Sequence, residues 1–154
     1  GPVHDDDLST SVAMVKKIID GSIPLLPDMG ICVTDVRDVA EAHVRALEAP
    51  AQQVRGERFP TSQKFLWLRE MAAIIRQRVP EHAGRVPRRG MPNWLVHMLA
   101  PFMDEMKQVR GELGNVRDVS GRHTEEVLGF TFIAAEQTLE DTVRSLAAKG
   151  IVTH

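Results

Sequence analysis

The sequence has no tyrosine among its 154 residues, although it contains two tryptophans and five phenylalanines. A chain without tyrosine cannot use a phenol as a catalytic acid, base or proton relay. Its single cysteine, Cys32, excludes an internal disulfide and a cysteine-based metal cluster. Because such sparse cysteine usage fits a reducing compartment, we expect the protein to be cytoplasmic.

Neither sign of charge is in large excess, since 19 basic side chains face 21 acidic ones. General nucleic-acid binders usually carry a strong basic excess, so nucleic acid is not a predicted partner. No stretch approaches the ~18–20 continuous apolar residues that span a bilayer. The longest apolar stretch covers residues 94–102 and is interrupted by His97 and Pro101. We therefore predict no membrane partner.

The first residues lack the basic and apolar regions of a signal peptide, and no methionine precedes them. We expect either that the chain begins inside a longer protein or that Gly1 and Pro2 remain from a cleaved tag. Apolar residues make up 43% and charged residues 26%, which is typical of soluble globular proteins. Length alone favours a single domain over residues 1–154.

The spacing of apolar residues predicts six or seven helices. The clearest helix begins after Asp35, the predicted N-cap, with Asp38 completing a capping box. A stripe of apolar side chains follows at helical spacing: Val36, Val39, Ala40, Val44 and Leu47. Ser9 or Ser11, Asn93 and Ser120 are predicted caps of other helices, and the last helix covers about residues 135–149.

Two or three short strands are predicted, at residues 30–34, 57–61 and 130–132. They are too few and too scattered to form a sheet by themselves. Residues 57–61 in particular have no obvious strand to pair with. This indicates that a partner lies outside the chain.

The sequence spacing of His43 from Asp35 and Asp38 would allow an Asp/Asp/His metal site. No other ligand has a recognisable metal-site spacing, so we predict no metal site. His43 lies beside the apolar stripe and is expected to be a partly buried structural histidine. The two carboxylates are better explained as caps for the free N–H groups of a helix.

A cluster of basic residues is opposed only by Glu81: Arg76, Arg78, Arg85, Arg88 and Arg89. It could bind a phosphate or an anionic substrate. We favour a solvated face or a set of salt bridges between domains. Residues 94–99 similarly could line a substrate pocket, although ordinary core is the simpler interpretation for most of them.

Recognisable catalytic patterns are absent from the sequence. Gly111 and Gly114 come nearest to a dinucleotide-binding turn, but they lie in or after a predicted helix and follow no strand. There is no nucleophile elbow, and Cys32 has no recognisable activating base. We therefore predict no catalytic and no cofactor-binding residue in this chain.

Residues 33–43, VTDVRDVAEAH, resemble the V-D-V-R-D-V-A-x-A-H segment of extended short-chain dehydrogenases/reductases. The similarity is greatest to the dihydroflavonol reductase-like branch of the NAD-dependent epimerase/dehydratase superfamily. Other motifs resembling the family follow in the family's order: GP at 1–2, STS at 9–11 with Gly21 and Pro24, GERF at 56–59, VP at 86–87, MPNWL at 91–95, LGF at 128–130 and TLEDTVRSL at 138–146. Each motif is weak alone, and their collinear order carries the resemblance.

The sequence departs from the family pattern at two places. Thr34 stands where the family often has an apolar residue. Residues 65–68, FLWL, replace a more polar S-L start of a helix. Neither departure interrupts the order of the motifs.

The family's N-terminal half carries the glycine-rich cofactor turn and the catalytic Ser/Thr and Tyr-x-x-x-Lys set, and none of these occurs here. The resemblance therefore implies a helix-rich α/β fold, the C-terminal part of an extended Rossmann-type reductase that lacks the parallel-sheet cofactor half. NAD(P) would be bound by the intact protein and not by this chain. Residues 57–61 would form a strand of the cofactor-domain sheet.

The resemblance also implies that this segment shapes the pocket for a small carbonyl substrate and is not catalytic alone. Residues 2–8 and 91–102 would face the substrate, with Pro2, Val3, Trp94 and Met98 as the predicted substrate-binding residues. The missing N-terminal Rossmann half is the predicted partner. Without that half, we expect exposed apolar surface to promote homo-oligomers.

Two alternatives remain open on the sequence. The chain could be a stand-alone helical interaction domain, which predicts a cooperatively folding monomer. It could also be a fragment of a sugar-nucleotide epimerase or dehydratase from the same superfamily. Only the residues of the motifs favour a reductase over an epimerase, and no catalytic residue does so.

Overall fold

The computed structural model describes residues 1–4 and 8–152. In chain order the elements are α1 (Thr10–Ile19), β1 (Gly30–Val33), α2 (Val36–Glu48), α3 (Ala51–Val54), β2 (Lys64–Trp67), α4 (Leu68–Arg78), a 3₁₀ turn (Pro80–His82), α5 (Asn93–Leu99), α6 (Asp104–Glu112), α7 (Arg122–Leu128) and α8 (Ala135–Ala148). The helix-rich α/β class is confirmed. Periodicity predicts six or seven helices, and the four-residue helix α3 is an addition that it does not predict.

The sheet has two antiparallel strands, with Gly30 opposite Trp67 and Val33 opposite Lys64. Strand β1 agrees with the prediction, whereas β2 was not predicted. By resemblance, residues 65–68 stand only at the family's helix start, and the helix begins at Leu68. An apolar run of this length can form either a strand or the start of a helix, and the pairing with β1 makes residues 64–67 a strand.

The predicted strands at 57–61 and 130–132 pair with no described strand. Residues 130–132, which are predicted to be extended, form an irregular segment instead of a strand. The assignment of residues 57–61 to a sheet outside this chain is untested and stays a prediction.

The hydrophobic core lies where α1, α4 and α8 pack against the sheet. The helical spacing of five apolar residues before Pro80 predicts a helix here, and all five are fully buried in and after α4: Leu68, Met71, Ala72, Ile75 and Val79. Ile18 of α1 and Leu146 of α8 are equally inaccessible to solvent. The core residues of these helices recur at helical spacing, because this places them on the one side of each helix that is removed from water.

Two of the predicted helix caps are confirmed. The Ser9 hydroxyl accepts a hydrogen bond from the Val12 N–H at 3.5 Å, and the Asp35 carboxylate accepts one from the Arg37 N–H at 2.9 Å. The Ser120 hydroxyl accepts a hydrogen bond from the Arg122 N–H, the first of α7, at 3.3 Å, although the N-cap position itself is Gly121. The predicted cap at Asn93 is wrong, because Asn93 is already inside α5, which begins after Pro92.

The predicted capping box at the start of α2 is also wrong. Asp38 is buried, and its Oδ2 accepts a hydrogen bond from the Ile133 N–H at 3.0 Å. In a capping box the Asp38 carboxylate would accept a hydrogen bond from its own helix, but here it accepts one from a residue 95 positions away. This hydrogen bond connects α2 to the segment that precedes α8.

Arg37 joins α2 to α8. Its guanidinium donates to both carboxylate oxygens of Asp35, at 2.9 and 2.8 Å, and to Asp141 Oδ2 at 2.5 Å. Such paired, charge-assisted hydrogen bonds are short and directional. We call this network the Asp35–Arg37–Asp141 clasp. It joins the two segments, 33–43 and 138–146, that carry much of the family resemblance.

Helix α2 is turned so that its apolar stripe faces outward. Val36 is 46% exposed, Val44 49% and Leu47 87%, whereas Asp38 and Ala42 are the buried residues of the helix. His43 is exposed, with its Nδ1 2.7 Å from the Val39 carbonyl oxygen, so its expected partial burial is wrong. The physical reason is that the polar contacts of Asp38 and Arg45 to residues 128–133 fix the rotation of the helix.

The two carboxylates at the start of α2 have opposite pKa shifts. Burial by itself raises the pKa of Asp35, but hydrogen bonds from the Arg37 side chain and N–H lower it to about 2. Burial raises the pKa of Asp38, and the single hydrogen bond from the Ile133 N–H does not offset this effect. The ionised form is thus stabilised at Asp35 and disfavoured at Asp38.

The substitution Asp35→Asn should lower the free energy of unfolding by about 2 kcal/mol near pH 7, because it removes the charge that binds Arg37. The pKa of Asp35 falls from 3.8 to about 2 on folding. The stabilisation is therefore complete above the unfolded-state value and is lost as the pH falls through the folded-state value. Urea unfolding at a series of pH values should show the wild-type advantage shrinking between about pH 4 and pH 2.

Asp38→Asn is the matched control for that experiment. The amide oxygen still accepts from Ile133 while the disfavoured charge is removed, so stability near neutral pH should be unchanged or increased. Because the pKa of Asp38 is raised on folding, wild type should gain on this variant as the pH falls. Asp38→Ala should cost about 1–3 kcal/mol, since it leaves the Ile133 N–H without its acceptor. Equal losses for both asparagine variants would contradict the assignment.

Gly30→Ala should destabilise the fold by about 1–3 kcal/mol through overpacking. A Cβ at this position would lie 2.5 Å from the Leu66 carbonyl oxygen and 2.5 Å from the Phe65 ring. Gly84→Ala is the control, because an added Cβ there meets nothing within 4 Å. Urea unfolding of both variants tests the prediction, and equal midpoints would show that the β1–β2 pairing tolerates the methyl group.

Candidate functional site

A cavity of about 530 Å³ lies between the N-terminal segment, α1, β1 and α8. Its size is in the ~300–1,000 Å³ range of small-molecule sites. Apolar side chains dominate the lining: Pro2, Val3, Leu8, Val12, Val15, Ile31, Val33, Val36, Val39, Met71 and Leu139. The cavity therefore suits an apolar or weakly polar molecule.

The N-terminal wall of the cavity is held on α8 by two hydroxyl groups. Thr142 Oγ1 lies 2.8 Å from the Gly1 nitrogen and 2.9 Å from the Gly1 carbonyl oxygen. Ser145 Oγ accepts from the Val3 N–H at 2.9 Å and lies 3.2 Å from the Val3 carbonyl oxygen. Residues 1–3 are thus fixed along α8, beside the Asp35–Arg37–Asp141 clasp.

The structure brings together only one pair of the predicted substrate-binding residues. Pro2 and Val3 line the cavity. Trp94 and Met98 lie on α5, 65% and 52% exposed, and are not part of the cavity lining. Residues 5–7 of the predicted substrate-facing loop lie outside the described residues. Substrate binding by these side chains stays a prediction.

Several polar groups at the cavity wall are engaged in structural contacts, whereas the buried Thr138 Oγ1 has no hydrogen-bond partner among the described residues. Ser9 caps α1, the Thr34 hydroxyl donates to the Thr61 carbonyl oxygen, and Thr142 binds the backbone of Gly1. Cys32, which the sequence did not single out for this wall, donates its S–H to the Arg117 carbonyl oxygen at 2.9 Å. The only sequence feature that could have indicated this position of Cys32 is that it belongs to a short apolar strand. This wall can shape a ligand, but its polar groups form no acid–base pair.

The imagined metal ligands do not converge. Asp35 binds Arg37, Asp38 binds Ile133, and His43 is exposed on a different side of α2. Residues 1–4 and 8–152 contain no group of three His, Cys, Asp or Glu side chains that could hold a metal ion. The arrangement favours the structural interpretation of the two carboxylates.

The basic cluster is only partly structural. Arg76 donates to the Pro87 carbonyl oxygen at 2.5 Å, and Arg78 lies 4.0 Å from Glu140. Arg85, Arg88 and Arg89 are exposed. This division agrees with the predicted solvated face better than with a formed phosphate site.

Within the described residues, neither the glycine pair at 111 and 114 nor the turn from β1 into α2 has the geometry that binds the pyrophosphate of a nicotinamide dinucleotide. Such a site needs a glycine-rich turn from a strand into a helix. Here Gly111 lies within α6, and Gly114 follows that helix with a φ of +70°. The turn from β1 into α2 is capped by the carboxylate of Asp35, whose negative charge would repel a phosphate.

Within the part of the chain that the structure describes, the helices are too short or too polar to cross a membrane.

Comparison with known proteins found two curated relatives, and no protein-family model matches the chain. The ketoreductase azaE of Aspergillus niger is 32% identical over 133 residues, which are 86% of this chain and 33% of that protein. Cinnamoyl-CoA reductase 1 of Arabidopsis thaliana is 25% identical over 150 residues, 97% of this chain and 37% of that protein. The chain thus spans about a third of the length of the curated relatives it matches.

Among solved structures, the fold is similar to yeast methylglyoxal/isovaleraldehyde reductase Gre2 complexed with NADPH. The TM-score is 0.68 at 21% identity, over 99% of this chain and 45% of that chain. The helix-rich fold therefore matches part of a larger reductase. Together with the relatives and the collinear motifs, it identifies this chain as the C-terminal part of an extended short-chain dehydrogenase/reductase.

Proposed function

We propose that this chain is the substrate-binding part of an NAD(P)-dependent reductase that converts a carbonyl group to an alcohol by hydride transfer. The observation that carries the proposal is the match to two named reductases over 86% and 97% of this chain. The NADPH in the structure of Gre2 supports the choice of cofactor class. The single cysteine, half-buried and reduced, supports a cytoplasmic location.

In this proposal the hydride comes from NAD(P)H bound by a cofactor-binding part outside the chain. This chain contributes apolar walls that exclude water and orient the substrate. Pro2 and Val3 supply one wall, fixed on α8 by Thr142 and Ser145. Trp94 and Met98 supply a second surface from α5. Because the hydride donor is bound outside this chain, the chain alone is inactive.

Residues 1–154 alone should give no aldehyde-dependent oxidation of NADPH, whereas the complete polypeptide encoded by the reading frame should be active. With NADPH deuterated on the transferred position, the deuterium should appear on the carbinol carbon of the product. This product distinguishes a reductase from an epimerase, which returns the hydride to its substrate. Activity of the 154-residue chain would overturn the inactive role, and a reading frame without a dinucleotide-binding turn would overturn the reductase assignment.

Trp94→Ala and Met98→Ala in the complete polypeptide should each raise KM for the carbonyl substrate by about tenfold. They should change kcat little, because apolar contacts bind the substrate and the transition state about equally. Gln77→Ala, an exposed change on α4, is the matched control and should leave both constants unchanged. Unchanged KM in the Trp94 and Met98 variants would remove α5 from the substrate site.

A further inference from the structure

One hydroxyl group at the wall of the cavity has no hydrogen-bond partner. Thr138 on α8 lines the cavity and is 3% exposed, and its Oγ1 makes no hydrogen bond with the described residues. Buried polar groups in native proteins are almost always paired, so an unpaired one requires an explanation. Leaving the hydroxyl unpaired costs free energy, which a ligand with a suitable polar atom would recover.

The next buried threonine of the same helix shows how such a hydroxyl is usually satisfied. Thr142 Oγ1 lies 2.7 Å from the Thr138 carbonyl oxygen, one helical turn earlier, and also contacts the backbone of Gly1. Threonines within helices commonly use the carbonyl oxygen of the preceding turn in this way. The corresponding carbonyl oxygen for Thr138 belongs to Ala134, and it accepts the Thr138 N–H at 2.9 Å but not the hydroxyl. The helix therefore does not hold this hydroxyl in place.

The surroundings of Thr138 favour an organic ligand over a water molecule. The cavity wall beside it is mainly apolar, and Ile31 and Leu139 belong to it. The Thr34 and Thr142 hydroxyls are already bonded to backbone carbonyl oxygens. A buried water needs several polar partners, whereas an apolar molecule with one polar atom needs only one. A mainly apolar cavity with few polar groups is also the usual composition of a small-molecule site.

Rotation about a single bond can present the hydroxyl to the cavity. Oγ1 itself is inaccessible to solvent in this structure, although the side chain of Thr138 lines the cavity. Threonine in a helix divides between two χ1 rotamers. Because Oγ1 has no hydrogen bond to lose, a ligand with a polar atom can select the rotamer that directs the hydroxyl toward it.

We propose that Thr138 is a specificity-determining residue, which hydrogen-bonds a second polar group of the carbonyl substrate. This proposal rests on the proposed function. The substrate class is a carbonyl compound whose apolar body carries a further hydroxyl or carbonyl oxygen, away from the carbon that is reduced. Among the described residues, no acid or base is hydrogen-bonded to this hydroxyl, so it has no relay for a proton and acts in binding.

The test measures the binding of propylbenzene and of ortho-, meta- and para-propylphenol to the 154-residue chain by isothermal titration calorimetry. The four probes share one apolar body, and the phenols add a hydroxyl at different positions. At least one phenol should bind about tenfold more tightly than propylbenzene. Thr138→Val keeps the shape of the side chain and should abolish this preference, whereas Thr138→Ser retains the hydroxyl and should preserve it.

Unfolding in urea gives an independent measurement on the same chain. Thr138→Val should leave the midpoint unchanged or raise it, because an unpaired buried hydroxyl is replaced by a methyl group. Thr142→Val is the matched comparison and should lower the midpoint, since it removes the contacts to Gly1 and to the Thr138 carbonyl oxygen. An equal loss for both variants would show that the Thr138 hydroxyl has a structural partner, which overturns the proposal.

Inhibition of the complete polypeptide tests whether the cavity holds the substrate. The preferred phenol should inhibit aldehyde reduction competitively, and Thr138→Val should raise its inhibition constant about tenfold. Equal binding of all four probes, a phenol preference that survives in Thr138→Val, or noncompetitive inhibition would each overturn the proposal and leave the reductase assignment intact. A reading frame without a dinucleotide-binding turn would instead end the assignment to a carbonyl substrate, even if the phenols bind.

Discussion

The bridge that Arg37 makes between Asp35 and Asp141 is the contact on which the rest of this structure depends. It joins the first turn of α2 to the middle of α8, and the two residues in contact, Arg37 and Asp141, are 104 positions apart. The neighbouring residue Thr142 holds Gly1, so the same stretch of α8 also positions the N-terminal wall of the cavity. A buried carboxylate needs a charged partner of this kind, and the paired guanidinium keeps the pKa of Asp35 well below its usual range.

The same region fixes the rotation of α2. Asp38, Ala42 and Arg45 lie three or four positions apart and therefore share one side of the helix. Asp38 and Arg45 bind the backbone of residues 128–133, so this side must face inward. The valines and the leucine of the stripe are consequently directed outward. Specific polar contacts thus override the usual burial of an apolar stripe.

The lining of the cavity is mainly apolar. Such a lining suits a surface that orients a molecule. The proposed function assigns this surface to the substrate and leaves the cofactor to a part outside the chain. The reductases similar to this chain are two to three times its length, so a second part has room in such proteins.

The sequence by itself determined most of the helices, the core stripe of α4, the caps at Ser9 and Asp35, and the family resemblance. These features follow from local periodicity, from capping chemistry and from motif order, all of which can be read along the chain. Only the tertiary structure decided that Asp38 binds Ile133, that residues 64–67 form a strand, and that the stripe of α2 faces outward. Each of these features depends on a partner that is distant in sequence. A local sequence pattern does not specify which distant group a side chain will contact.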